Sequence, residues 1–170
     1  MFFILRPMRL LLKALIAEST PGQMAFGLAM GILIGLVPKG NLLAISLGVL
    51  LATTRANLAV AGAAAVCVMF ASPLVDPLSD GIGYWILSQP SLQDFWTQLY
   101  NTPFMPWTDF NNTIVMGGFV LGLVLLIPVS RTSEPLFRRL TPAIAMYARR
   151  FWLLRVLLGA EWADRFAAVE

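Results

Sequence analysis

The chain has 170 residues, 58% hydrophobic and only 12% charged, with a net charge of +3 and a mean hydropathy of +0.77. A soluble domain of this size carries about 25% charged residues, so the composition excludes that class and fits one bundle of membrane helices. Histidine is absent and Cys67 is the only cysteine, which removes the commonest general base, the commonest metal ligand and any intrachain disulfide.

Residues 1–18 are apolar but carry Arg6, Arg9 and Lys13 at spacings of three and four, one face of a helix. Lys13 splits the apolar run and no small-residue cleavage site follows, so the stretch reads as an uncleaved amphipathic helix on the cytoplasmic leaflet. Residues 1–19 form this first unit.

The stretch from Thr20 to Asn57 organises the rest. Thr20 suits an N-cap, Pro21 the first helical position and Gln23 a capping-box partner. The run to Val37 has no charge, and Gly27, Gly31 and Gly35 share one helix face. A second run repeats that spacing with Ala44, Gly48 and Ala52. Small residues four apart let helix backbones approach closely in lipid, so the two runs are expected to nest as a helical hairpin. Pro21–Val37 has 17 residues and Leu42–Ala52 has 11. At about 1.5 Å per residue they reach about 25 Å and 17 Å, against a hydrocarbon core of about 30 Å. Either Thr53–Arg55 extends the second arm, or the hairpin is re-entrant. Lys39 and Asn41 lie at its tip; in a re-entrant hairpin Lys39 needs a polar partner. Arg55 reads as a boundary anchor and Asn57 as the N-cap of the next helix.

Asn57–Ala71 is a third apolar segment, rich in alanine, stopped at Ser72-Pro73. A break is expected there, because proline removes a helix hydrogen bond. Asp76 and Asp80 follow, four apart, within reach of a pairing with Lys39 or Arg55. Residues 89–109 mix Trp96, Tyr100, Phe104 and Trp107 with prolines and hold no base, the texture of a non-cytoplasmic interfacial loop. Thr113–Val129 is the clearest spanning run, with a close-approach notch at Gly118 and Gly122. Residues 20–129 thus form the transmembrane bundle.

Bases crowd from Arg131 onward, and Thr141-Pro142 is expected to start a cytoplasmic surface helix. Arg138, Arg139, Arg149 and Arg150 suit anionic headgroups, so residues 131–170 form a basic interfacial unit. Ten of the 12 bases are arginine. With so little charge overall, the excess is topological and lipid-facing, not a nucleic-acid signature. Bases at both ends place both termini in the cytoplasm, which requires an even number of crossings.

The fold class expected is all-α and polytopic, with a short hairpin, broken and spanning helices, and amphipathic surface helices at both ends. No metal, cofactor or catalytic constellation is expected.

Gly27-Leu-Ala-Met-Gly31-Ile-Leu-Ile-Gly35-Leu-Val-Pro38-Lys-Gly40-Asn, then Arg55-Ala-Asn57, then Ser72-Pro73 with Pro77, resemble the bacterial membrane family called domain of unknown function 2062. The resemblance covers residues 20–88. Ser72 stands where that family usually has Asn. The resemblance implies a bacterial inner-membrane location and no activity, and it favours a partner-subunit reading. The function expected is a non-enzymatic membrane subunit, an anchor or gate for a larger envelope or lipid-handling assembly. Its partners would be membrane lipids and a larger envelope protein or a second copy. The alternative is a small-solute or ion transporter with its site at the hairpin tip and the Pro73/Pro77 break.

Overall fold

A computed structural model describes the backbone of residues 19–150 and the side chains of residues 19–140. The expected amphipathic helix over residues 1–18, the side chains of Arg149 and Arg150, and the chain beyond residue 150 lie outside the described residues. Five α-helices follow in order: α1 (Pro21–Leu36), α2 (Leu42–Thr53), α3 (Leu58–Leu87), α4 (Gln93–Tyr100) and α5 (Thr113–Arg150). Short 3-10 turns occur at Pro90–Leu92 and Met105–Thr108, and the described residues contain no strand. The described residues are all-helical, as the sequence leads one to expect.

Local chemistry sets the helix starts. The Gln23 backbone N–H donates to Thr20 Oγ1 (3.3 Å) and the Thr20 N–H to Gln23 Oε1 (2.9 Å), a complete capping box ahead of Pro21. Pro38 ends α1, and Gly40 turns the chain at φ +103°, a conformation costly for any residue with a Cβ. Asn41 then caps α2 by accepting from the Ala44 N–H at 2.8 Å, and Asn57 caps α3 by accepting from Val60 at 2.9 Å.

The core is the three-helix contact of α1, α3 and α5. α1 and α3 run parallel, and the glycine face of α1 lies directly on α3. A Cβ added at Gly27 would stand 2.6 Å from the Asn57 carbonyl oxygen, one at Gly31 would strike the Ala61 carbonyl, and one at Gly35 would stand 2.6 Å from Val68 Cβ. α5 runs antiparallel to both. A Cβ at Gly118 would stand 2.5 Å from the Leu36 carbonyl oxygen, and one at Gly122 would strike Leu33. Gly117, next in sequence to Gly118, faces the other way, onto the Ser79 carbonyl of α3; Gly83 faces the Thr113 carbonyl. Two adjacent glycines thus let α5 settle into the groove between α1 and α3.

Three expectations are corrected. The first is the mate of the α1 glycine face, which is α3 and not α2. α2 makes few contacts with α1, and it leans on the bundle through Leu47, buried beside Met30, Leu33, Val37 and Val115, with Leu43, Ala44 and Leu51 partly buried around it. Leucine side chains hold the two helices apart. Of the Ala44, Gly48 and Ala52 face, only Ala44 packs; Gly48 has open space where its Cβ would be, and Ala52 is exposed.

Second, α3 does not break at Ser72-Pro73. It is one helix of 30 residues with Pro73 and Pro77 inside it. Proline 73 leaves the Met69 carbonyl without its helix donor, and the Ser72 hydroxyl donates to that oxygen at 3.1 Å. A serine hydroxyl that re-satisfies a freed carbonyl is one way an apolar helix tolerates proline. Third, α5 runs unbroken through Thr141-Pro142 to Arg150, so no new helix starts there.

α3 is about 45 Å long and α5 longer, against a hydrocarbon core of about 30 Å. Leu58–Leu87 and Thr113–Leu140 are each long and apolar enough to cross a membrane. Along the most apolar 18 residues of α3 only 11% are buried. Phe70 is 78% and Leu74 87% exposed. Such outward apolar surface belongs against lipid or protein, not water.

Candidate functional site

The polar residues singled out in the sequence do not converge. Lys39 Nζ donates to the Ile34 carbonyl in the last turn of α1 and to the carbonyl of its C-cap, Val37, at that helix end. Asn41, 3% exposed, spends its amide on the Pro38 carbonyl (3.1 Å) as well as on its cap. Asp80 accepts from the Thr113 hydroxyl, tying α3 to the start of α5. Asp76 is half-buried and Arg55 exposed. Among the described residues the one ion pair is Arg138–Glu134 at 2.9 Å, one turn apart on α5, so neither Lys39 nor Arg55 is paired with Asp76 or Asp80. Arg139 is exposed beside that pair.

Asn57 does more than cap. Its amide Nδ2 donates to Ser19 Oγ at 3.0 Å and its backbone N–H to the Gln23 carbonyl at 3.0 Å. These bonds, with the Gly27 contact, lock the starts of α1 and α3 together. The first turn of α1 also sits by α5, where a Cβ at Gly22 would lie 4.0 Å from the Glu134 carboxyl carbon. One end of the bundle therefore gathers Arg55, Arg131, Arg138 and Arg139. The other end holds Asp80, Asp94 and Asp109, with Lys39 as the base nearest to it in the fold.

At that acidic end the segment between α3 and α5 folds into a compact aromatic cap. Part of the expected loop 89–109 is the short helix α4. Trp96 stacks edge-on to Phe95 (4.9 Å between centroids) and packs on Phe110 (6.0 Å), which also meets Tyr100 (6.3 Å). Phe104 and Asp109 take positive φ, 68° and 54°, at the two ends of the Met105–Thr108 turn, which rests against α2. The Phe104 ring meets the Trp107 ring edge-on at 5.6 Å across that turn.

This cap encloses an apolar cavity of about 490 Å³ among α2, α4, the 105–108 turn and α5, with Leu43, Ser46, Trp96, Met105, Phe110 and Phe119 in its wall. A second, more open hollow of about 480 Å³ shares Trp96 and Phe110, and its wall adds Leu87 and Tyr100 to the polar Gln93, Thr97, Asn101 and Asn111. The indole Nε1 of Trp96 is buried and has no acceptor, alone among the buried side-chain nitrogens and oxygens of the described residues. The aromatic texture of 89–109 was legible beforehand. The cavity was not, because Leu43, Ser46 and Phe119 come from distant elements. The Ser79–Gly83 and Thr113–Gly117 contacts were also missed, although both pairs show the same four-residue spacing of small residues.

The family described as "Uncharacterized protein conserved in bacteria (DUF2062)" matches residues 5–142. A protein of Treponema pallidum (strain Nichols), described as "Uncharacterized protein", is 28% identical over 155 residues, covering 89% of this chain and 96% of its own. No solved structure matches.

Proposed function

From the premise that the chain belongs to the bacterial family of domain of unknown function 2062, we propose that it is a non-enzymatic subunit of the bacterial inner membrane that anchors a larger envelope protein. Its apolar outer surface supports the membrane setting. The charge separation along the bundle supports the orientation: bases collect on the cytoplasmic side of membrane helices, so Arg55, Arg131, Arg138 and Arg139 mark the inner face. The base-free aromatic cap then faces outward, and both termini lie in the cytoplasm. α3 and α5 make the two crossings.

The hairpin of α1 and α2 enters from the inner face and turns back inside. Measured from Asn57 to Val68 on α3, or from Glu134 to Gly118 on α5, α1 rises roughly 17–24 Å, short of the roughly 30 Å core. Lys39 then lies at depth, and its bonds to two backbone carbonyls are the compensation a buried ammonium needs. Solute passage at the tip finds no support in this geometry, since Lys39 and Asn41 spend their polar groups on the turn itself.

One observation carries the docking reading. α2 is seated on the bundle by one leucine stripe, while Ile45 and Val49 (both 61% exposed) and Leu50 (52%) face outward. This second apolar face suits a transmembrane helix of the partner. Photo-crosslinking from position 45 or 49 in intact bacteria tests it. A discrete protein adduct shared by both positions, and absent from the inward position 33, is expected. Lipid adducts alone at 45 and 49 would overturn the docking reading.

A further inference from the structure

We propose that Arg131, with Arg138 and Arg139 beside it, binds the phosphate of an anionic phospholipid whose acyl chain lies along α5. The inference rests on the membrane setting proposed above, and it does not need a partner at α2. Three observations carry it. The first is a continuous face. Val124, Ile127, Arg131 and Arg138 follow one another on α5 at spacings of three, four and seven residues, so they share one side of that helix. Val124 and Ile127 are exposed, and Arg131 begins about 6 Å beyond Ile127 along the axis. An acyl chain lying on the two apolar residues therefore brings its phosphate within reach of the Arg131 guanidinium. A free phosphate would make no use of them.

The second observation is charge. From Arg131 to Arg139 the helix carries three arginines and one acid, Glu134. Glu134 is bonded to Arg138 at 2.9 Å, while Arg131 is exposed and has no ion-pair partner among the described residues. Arg138 lies about 10 Å beyond Arg131 along the axis, and the exposed Arg139 follows it, so positive charge outweighs negative at the headgroup level. The third is the choice of base. Topology weighs lysine and arginine alike, yet ten of the 12 bases are arginine, and the two lysines stand at positions 13 and 39. The planar guanidinium matches two phosphate oxygens at once, which an ammonium does not.

Native mass spectrometry of the full chain in mild detergent, titrated with dioleoylphosphatidylglycerol or dioleoylphosphatidylethanolamine, tests this. Phosphatidylglycerol should bind roughly fivefold more tightly or better, because the same arginines repel the ammonium of phosphatidylethanolamine. Arg131→Gln should remove most of that preference while leaving phosphatidylethanolamine binding within about twofold. Arg131→Lys, which keeps the charge and loses the fork, should fall between the two, and it replaces Arg131→Gln if that variant loses helical content. Arg55→Gln removes the same charge from the connection between α2 and α3, and should keep the preference within about twofold. Equal losses at positions 55 and 131 would mean a general field at the basic end and would overturn the site. Displacement of the lipid by millimolar glycerol 3-phosphate would overturn the role of the acyl chain. Equal affinity for the two lipids would overturn the proposal alone, whereas no binding of either would overturn it together with the membrane setting.

Discussion

Gly27 lies under the carbonyl of Asn57, so closely that a Cβ would stand 2.6 Å from that oxygen. Through this contact and the Asn57 N–H bond to Gln23, two helices separated by a whole hairpin begin side by side. The bundle is built outward from that junction.

The glycines of α1 and α2 should therefore respond in opposite ways. Gly31→Ala puts a methyl group into the Ala61 carbonyl and should destabilise the protein by about 1–3 kcal/mol. Gly48→Ala meets open space on a helix and should be neutral or stabilising by about 0.5–1 kcal/mol. Denaturant titration in mixed micelles, followed by circular dichroism, measures both. Equal losses at the two positions would restore the nested pairing of α1 with α2.

Replacing Asn57 removes a cap and the tie to Ser19 together. Asn57→Ala should cost about 1–2 kcal/mol in the same titration. Ser19→Ala, which removes only the hydroxyl, should cost about 1 kcal/mol or less. A loss at Ser19 as large as at Asn57 would mean that the α3 cap contributes nothing.

Lys39 offers a test of the hairpin tip. Lys39→Met should loosen the end of α1 by about 0.5–1 kcal/mol, the usual magnitude of a cation at a helix C-terminus. Exchanging the charges, with Lys39→Asp and Asp76→Lys combined, should give no rescue over the single variants. Coupling above about 1 kcal/mol in that double-mutant cycle would show a contact absent from the fold described here.

Orientation can be read with an impermeant maleimide on a Cys67→Ser background. Cysteine at Gln98 or Asn101 should react from outside intact spheroplasts, and cysteine at Arg138 only after lysis. The reverse pattern would invert the assigned topology.

Much of this fold was legible in the sequence. Thr20, Pro21 and Gln23 announce α1 because a capping box is a local device, satisfied within four residues. Asn57 and the Pro38–Gly40 turn are legible for the same reason. Partner choice was not. Glycine spacing reveals that a helix has a smooth face but not which helix covers it. Neighbourhood in sequence favoured α2, whereas the leucine stripe of α2 cannot approach as closely as the alanines of α3. Pro73 misled for a different reason: the rule that proline breaks helices assumes a stranded carbonyl, and the preceding serine takes it. The cavity under the aromatic cap was hidden because its wall is assembled from four segments, each of which reads only as apolar or aromatic on its own.

The seat of α1 between α3 and α5 has a consequence for synthesis. Gly31 leaves the ribosome about 90 residues before Gly122, and at 5–20 residues per second that interval is on the order of 5–20 s. Throughout it, half of the surface that will hold α1 has not yet been made. The nascent protein must keep a short, smooth helix parked in the bilayer until the final rod arrives. An insertase that shelters the early hairpin would shorten this exposure, and truncation after α3 should leave a product that membrane proteases clear quickly.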